Sequence, residues 1–109
     1  MFAMDTKKII LFGAGRSARH LVSFLVEGAL LGKWTVLVAD TNVSHWVDEY
    51  GHMNHVDFIA GDAGDAKFRH KLIAHSNLVI SMLPAFMHAE VVKDCINFHV
   101  HVFTPSYVS

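Results

Sequence analysis

Lys8-Ile9-Ile10-Leu11-Phe12-Gly13-Ala14-Gly15-Arg16-Ser17-Ala18 decides how the chain reads. A short apolar run ends in a glycine-rich turn, and a helix-period segment follows at once. The pattern Gly13-x-Gly15-x-x-Ala18 is the form of a dinucleotide-binding turn whose third small residue is alanine. Each small residue has a physical task there. Gly13 lets the chain reverse sharply, Gly15 lets the backbone approach a pyrophosphate with no side chain between, and Ala18 keeps helix and strand close. The helix expected to begin near Arg16 would present free N–H groups and its positive end to the anion, with Arg16 and Ser17 beside it.

Outward from this turn the same alternation recurs. Ile9–Phe12 reads as a central parallel strand buried on both faces. Ala18, Leu21, Val22, Leu25, Val26 and Ala29 fall on one helical face, and Gly28 and Gly32 bracket its end. A β-branched run, Trp34–Ala39, ends on Asp40. Val43, Trp46, Val47 and Tyr50 then repeat at helical spacing, with Thr41 or Asn42 as the expected N-cap and Gly51 as the stop. Val56–Ala60 is a third strand, followed by Gly61-Asp62-Ala63 and a helix through Phe68, Leu72 and Ile73. Leu78–Leu83 is a fourth strand stopped by Pro84. A fourth helix is expected to show Ala85, Ala89, Val92 and Ile96 on one side with Cys95 beside them, and His99–Phe103 is a fifth strand. Every connection contains a helix, so the crossovers should be right-handed and the sheet parallel. The expected fold class is α/β: a doubly wound (Rossmann) five-stranded parallel sheet, strand order 3-2-1-4-5, in one domain over residues 1–109.

Composition narrows the partners. The 109 residues are 52% hydrophobic and 17% charged, the balance of a globular chain. A net charge of −1 with no basic run gives no electrostatic pull toward nucleic acid or an anionic membrane. The longest apolar runs are too short to span a bilayer, and Met1–Thr6 is too short and mixed for a signal peptide. The single cysteine, Cys95, suits a reducing compartment, so a cytoplasmic location is expected.

Asp40 supports the glycine turn most strongly. It ends the second strand about 20 residues beyond Ala18, where an acid meets the adenosine ribose hydroxyls; Thr41 follows it. That carboxylate favours NAD over NADP, because a 2′-phosphate would meet like charge, and after Asp40 no Lys or Arg occurs until Lys67. Asp62 and Ala63 follow the third strand where the chain passes the adenine, and a carboxylate there can reach its exocyclic amine. The competing reading is a plain turn with Asp65 as a helix cap. Ser81, Met82, Leu83 and Pro84 lie at the carboxyl end of the fourth strand, beside the topological switch point. Nine histidines invite a metal reading, but His52-x-x-His55 and His99-x-His101 lack the ligand clusters of zinc sites. His99 and His101 are expected to share one strand face. His88 lies just past Pro84 on the ligand side.

Leu78-Val79-Ile80-Ser81-Met82-Leu83-Pro84, His88, Val91-Val92-Lys93, Cys95 and Thr104-x-Ser106-Tyr107-Val108-Ser109 together resemble the saccharopine dehydrogenase family. With Gly13-Ala14-Gly15 and Gly61-Asp62-Ala63 the resemblance covers essentially the whole chain. It implies an amino-terminal dinucleotide-binding domain ahead of a larger substrate domain. It also implies oxidation of saccharopine by a nicotinamide cofactor, through an imine, to glutamate and aminoadipate semialdehyde. By the same resemblance Thr104 lies near the cofactor, and Ser106 and Tyr107 lie where cofactor and substrate meet. Pro105 departs from the small residue the family more often carries there. The chain stops as the motif ends, so a fragment of a lysine-metabolism dehydrogenase is expected. Its amino-acid substrate would be held through the missing domain, an oligomer is left open, and the fragment alone would be inactive. The alternative is an NAD-sensing regulatory module of a potassium channel or transporter, which shares the glycine turn, the acid of the second strand and a Gly-Asp-Ala. A methyl-donor-binding fold is a third reading, disfavoured by the tight glycine spacing.

Overall fold

The structure, a computed structural model, describes residues 7–15 and 18–104. Its elements alternate as β1 (Lys7–Phe12), α1 (Arg19–Leu30), β2 (Trp34–Asp40), α2 (Ser44–Tyr50), β3 (Val56–Ala60), α3 (Ala66–Ile73), β4 (Leu78–Ser81), α4 (Ala85–Asn97) and β5 (His101–Phe103). The strands form one sheet in the order β3-β2-β1-β4-β5, and every neighbouring pair is parallel. This is the expected doubly wound topology. β1 is central, with Ile9 opposite both Val36 and Leu78, and Phe12 opposite both Ala39 and Ser81.

Alternation along β1 explains why its run is apolar throughout. Ile9 and Leu11 enter one core with Val22, Leu25, Val26 and Ala29 of α1 and Trp46 of α2. Ile10 and Phe12 enter the other with Leu72 and Ile73 of α3 and Val91 and Cys95 of α4. Leu11 and Phe12 are wholly buried, and each such side chain contributes about 1.5–3 kcal/mol of transfer free energy. The face expected for α1 is the face observed. Its first turn begins at Arg19, later than the expected start near Arg16. Ala18 precedes it with its N–H on the Gly15 carbonyl oxygen at 2.9 Å.

Three local expectations are corrected. The residue at the N-cap of α2 is Val43, not Thr41 or Asn42. Asn42 still serves the helix start, because its Oδ1 accepts from the Ser44 N–H at 3.0 Å and from the Ser44 hydroxyl at 2.9 Å. In α4 the buried residues are Val91, Asp94 and Cys95, with Met87 packed beside them. Ala85 and Ala89 are exposed, Val92 is only half-buried, and Ile96 is 66% exposed. A buried charge pair between Asp94 and Arg69 of α3 turns that face inward. The fifth strand spans only His101–Phe103, because the residues before it close α4: the Val100 N–H reaches the Cys95 carbonyl, and His99 takes a φ of 59°. His99 and His101 therefore share no strand face. Among the described residues no helix is long and apolar enough to cross a membrane.

Candidate dinucleotide site

The carboxyl ends of β1, β2, β3 and β4 converge on the glycine turn. Gly13 has a φ of +85°, a conformation L side chains rarely adopt. Its N–H donates to the Ala39 carbonyl at 2.9 Å, and the Met82 N–H donates to the Phe12 carbonyl at 2.8 Å. A Cβ on Gly13 would lie 3.1 Å from backbone atoms of both Met82 and Leu83. The turn and the end of β4 are thus in close backbone approach. At Gly15 the opposite holds. A Cβ there would meet nothing within 4 Å, so the space above this residue is open. The first glycine serves packing, and the second leaves room for a ligand.

Asp40 is the hinge between turn and cavity. One carboxylate oxygen accepts from the Ala14 N–H at 2.8 Å, and the other from the Thr41 N–H at 2.6 Å and the Thr41 hydroxyl at 3.3 Å. It is half-buried and lines a cavity of about 190 Å³ with Ala39, Thr41, Gly61, Asp62, Ala63, Leu83, Pro84 and Met87. One rim carries carboxylates and the opposite wall is apolar, which suits a ribose joined to a flat base. Larger cavities of about 370 and 620 Å³ involve Lys8, Thr35 and His75 or Lys7, Trp34 and Asn77, toward the amino ends of strands. Ligands of open α/β sheets bind at the carboxyl ends, where the smaller cavity lies.

The loop after β3 combines the two readings of its acids. Asp65 is the N-cap of α3, accepting from the Lys67 N–H at 3.0 Å. Asp62 closes the loop through Oδ1, which accepts from the Gly64 N–H at 2.8 Å, and it also faces the cavity. Of the expected site residues the structure therefore gathers Asp40, Thr41, Asp62, Ala63, Leu83 and Pro84 around one cavity, with Gly13, Gly15, Ala18 and Met82 at the adjoining turn. Ser81 is fully buried, and its hydroxyl has no hydrogen-bond partner among the described residues. Thr104 follows β5 and does not line the cavity. Arg16, Ser17, Ser106 and Tyr107 lie outside the described residues.

Two supports have no counterpart among the residues singled out for the site. The Trp46 indole donates to the Ala14 carbonyl at 2.9 Å, while the Arg19 guanidinium lies 5.7 Å from the Trp46 ring centroid and pairs with Glu49 at 3.2 Å. Arg69, 5% exposed, donates to the Ala63 carbonyl at 2.9 Å and to Asp94 at 2.6 Å. Helical spacing marks Trp46 as a core residue, but nothing local shows that its N–H reaches the turn. Arg69 and Asp94 stand 25 positions apart with no pattern connecting them.

Comparison with known proteins bears on family and fold. Residues 9–109 match the family model for the saccharopine dehydrogenase NADP binding domain. The chain is 30% identical over 106 residues to a saccharopine dehydrogenase [NADP(+), L-glutamate-forming] of Pyricularia oryzae, covering 97% of this chain and 23% of that protein. It is 28% identical over 122 residues to an alpha-aminoadipic semialdehyde synthase of Arabidopsis thaliana, covering 94% of this chain and 12% of the relative. The chain thus spans less than a quarter of the length of these relatives. Among solved structures, the apo saccharopine dehydrogenase (L-Glu forming) of Saccharomyces cerevisiae superposes with a TM-score of 0.78 at 27% identity, over 94% of this chain and 22% of the other. A short-chain dehydrogenase/reductase of Veillonella parvula in complex with NADP, at 17% identity and a TM-score of 0.70 over 90% of this chain and 46% of the other, shares the fold. Sequence family, fold and the form of the glycine turn converge: the chain belongs to the saccharopine dehydrogenase NADP binding domain family.

Proposed function

We propose that the chain is the dinucleotide-binding domain of a saccharopine dehydrogenase-like oxidoreductase of lysine metabolism, and that it takes NAD in preference to NADP. The observation that carries this is the place of Asp40, whose carboxylate sits between the glycine turn and the cavity. Gly15, with open space above it, would hold the pyrophosphate near the amino end of α1, whose positive end favours the charge. Asp40 accepts from the ribose 2′- and 3′-hydroxyls. The adenine enters the cavity between the Asp62–Ala63 loop and the apolar wall of Leu83, Pro84 and Met87. When bound, the cofactor would supply the hydride acceptor for oxidation at the carbon beside the secondary amine of saccharopine. The chain's own residues would orient it across the carboxyl ends of β1 and β4, the switch point of the sheet.

The family's name and the Pyricularia relative's name both carry NADP, which favours the other cofactor. Two observations support NAD in this chain. The end of β2 carries Asp40-Thr41-Asn42, none of which is a cation for a 2′-phosphate. The Arg19 guanidinium over Trp46 is engaged by Glu49. The family and its relatives also favour the dehydrogenase over a channel-regulating module. The relatives are much longer than the stretch this chain matches, so substrate is held by Ser106 and Tyr107 together with a further part of such a protein, and the 109 residues alone bind cofactor without turnover. Calorimetric titration of the chain with NAD, NADP and ADP-ribose, alongside a saccharopine oxidation assay, tests this. Binding of NAD and ADP-ribose with weaker NADP and no turnover is expected. NADP binding as tight as NAD, or measurable turnover, would overturn the respective half.

A further inference from the structure

The buried Arg69–Asp94 pair is an unusual choice for joining two helices. Both residues are 5% exposed, and a buried ion pair is commonly no more stabilising than two well-packed apolar side chains. A Leu–Met contact would hold α3 to α4 as well. What apolar residues cannot do is grip a carbonyl. The Arg69 guanidinium forks: Nε donates to Asp94 Oδ2 at 2.6 Å, and one terminal nitrogen donates to the Ala63 carbonyl at 2.9 Å. The other terminal nitrogen is 3.8 Å from the exposed Glu90 carboxylate, and His70 contacts the second Asp94 oxygen at 3.0 Å.

The held carbonyl belongs to the peptide unit whose N–H, on Gly64, donates to Asp62 Oδ1 at 2.8 Å. A peptide unit is planar, so fixing its oxygen fixes the direction of its N–H. Arg69 therefore orients the Asp62 carboxylate through a single peptide plane. One Asp62 oxygen is used in this bond, leaving the other for a ligand in the cavity that Asp62 lines. Asp94, the anchor at the far end, lies on α4, which starts immediately after Leu83 and Pro84 on the opposite wall of that cavity. The pair thus ties the loop that carries Asp62 to the helix that leaves the opposite wall, and fixes the aim of the carboxylate.

We propose that Arg69 is a positioning residue for recognition of the adenine exocyclic amine, acting through the Ala63–Gly64 peptide on Asp62. This rests on the dinucleotide reading above. A site built to accept a hydrogen bond from one ligand group rejects the analogue that lacks it. The probes are NAD and nicotinamide hypoxanthine dinucleotide, which differ in that the 6-amino group is replaced by an oxo group. The 109-residue chain should prefer NAD by about tenfold or more.

Arg69→Met strands a buried carboxylate and is expected to destabilise the chain, so the decisive variant is Arg69→Met/Asp94→Leu, which removes both charges. It should melt close to the parent while its preference for NAD falls to within about threefold of unity. Arg69→Lys, a point charge that satisfies Asp94 without the fork to Ala63, should lose the preference likewise. A purely structural pair predicts instead that the double variant, once stable, regains full discrimination; that result overturns the proposal. So does a parent chain that binds both dinucleotides equally. A parent that binds neither overturns the dinucleotide reading itself, and the proposal with it.

Discussion

Ala14 is held at both ends of its backbone: its N–H donates to Asp40, and its carbonyl oxygen accepts from the Trp46 indole at 2.9 Å. The middle residue of Gly13-Ala14-Gly15 is therefore fixed from β2 and from α2. Trp46→Phe keeps an aromatic side chain but removes the donor together with the pyrrole half of the indole. A buried carbonyl left without its partner costs about 1–3 kcal/mol, which in a chain of this size lowers the melting temperature by at least several degrees. Weaker NAD binding should accompany the loss. Unchanged melting would show that the Ala14 carbonyl finds another donor.

The two glycines of the turn should separate stability from binding. Gly13→Ala forces a Cβ to 3.1 Å from the Met82 and Leu83 backbone at a φ of +85°. Strain of this kind costs about 1–3 kcal/mol. Gly15→Ala meets nothing within 4 Å and should leave stability within about 0.5 kcal/mol. Its methyl group would occupy the approach to the pyrophosphate, so NAD affinity should fall by tenfold or more, roughly 1.4 kcal/mol. Thermal melts and titrations of the two variants check this. A Gly15→Ala chain that binds normally would move the phosphate site elsewhere.

The proposed preference for NAD rests on Asp40. Hydrogen bonds from ribose hydroxyls to a carboxylate contribute about 1.5–3 kcal/mol each, while a 2′-phosphate meets only like charge there. Asp40→Ser also frees the Ala14 N–H, so overall affinity and stability both decline. The ratio of NAD to NADP affinity is independent of that loss. It should fall by at least about tenfold. A ratio that stays constant would make Asp40 a brace for the turn and nothing more.

Cys95 is wholly buried against the second core, and burial, assisted by the neighbouring Asp94 carboxylate, pushes its thiol up to about 11. The thiolate is the reactive form, so a thiol reagent at pH 8 should modify Cys95 only after denaturation. The same shift makes stability depend on pH. Below the unfolded value near 9.0 the thiol is protonated in both states and its contribution is constant. Between about 9 and 11 the unfolded chain releases the proton while the folded one retains it, so stability falls as pH rises, by roughly 2–3 kcal/mol in all. Cys95→Ala should flatten this part of the profile in denaturant melts.

Sequence alone determined the parts of this protein that local order expresses. An apolar run that must bury both faces, a helix-period segment after it, glycines where the backbone turns, and an acid at the end of the next strand are all properties of neighbouring residues. They were enough for the five-stranded order, the buried face of α1 and the place of Asp40 at the strand end, because side-chain period and strand ends follow from backbone geometry.

Tertiary structure decided what depends on residues distant in the chain. The stripe of Ala85, Ala89, Val92 and Ile96 with Cys95 beside it is a regular helical face, yet of these α4 fully buries only Cys95, together with Val91 and Asp94. An apolar stripe records only that a face can be buried. Which face turns inward depends on what it meets, and here Arg69 of α3 offers Asp94 a partner. The Trp46 bond to Ala14 spans 32 positions and the Arg69 bond to Asp94 spans 25. Neither has a period or a spacing to betray it, since each exists only once the sheet has brought its helices over the same end of the strands.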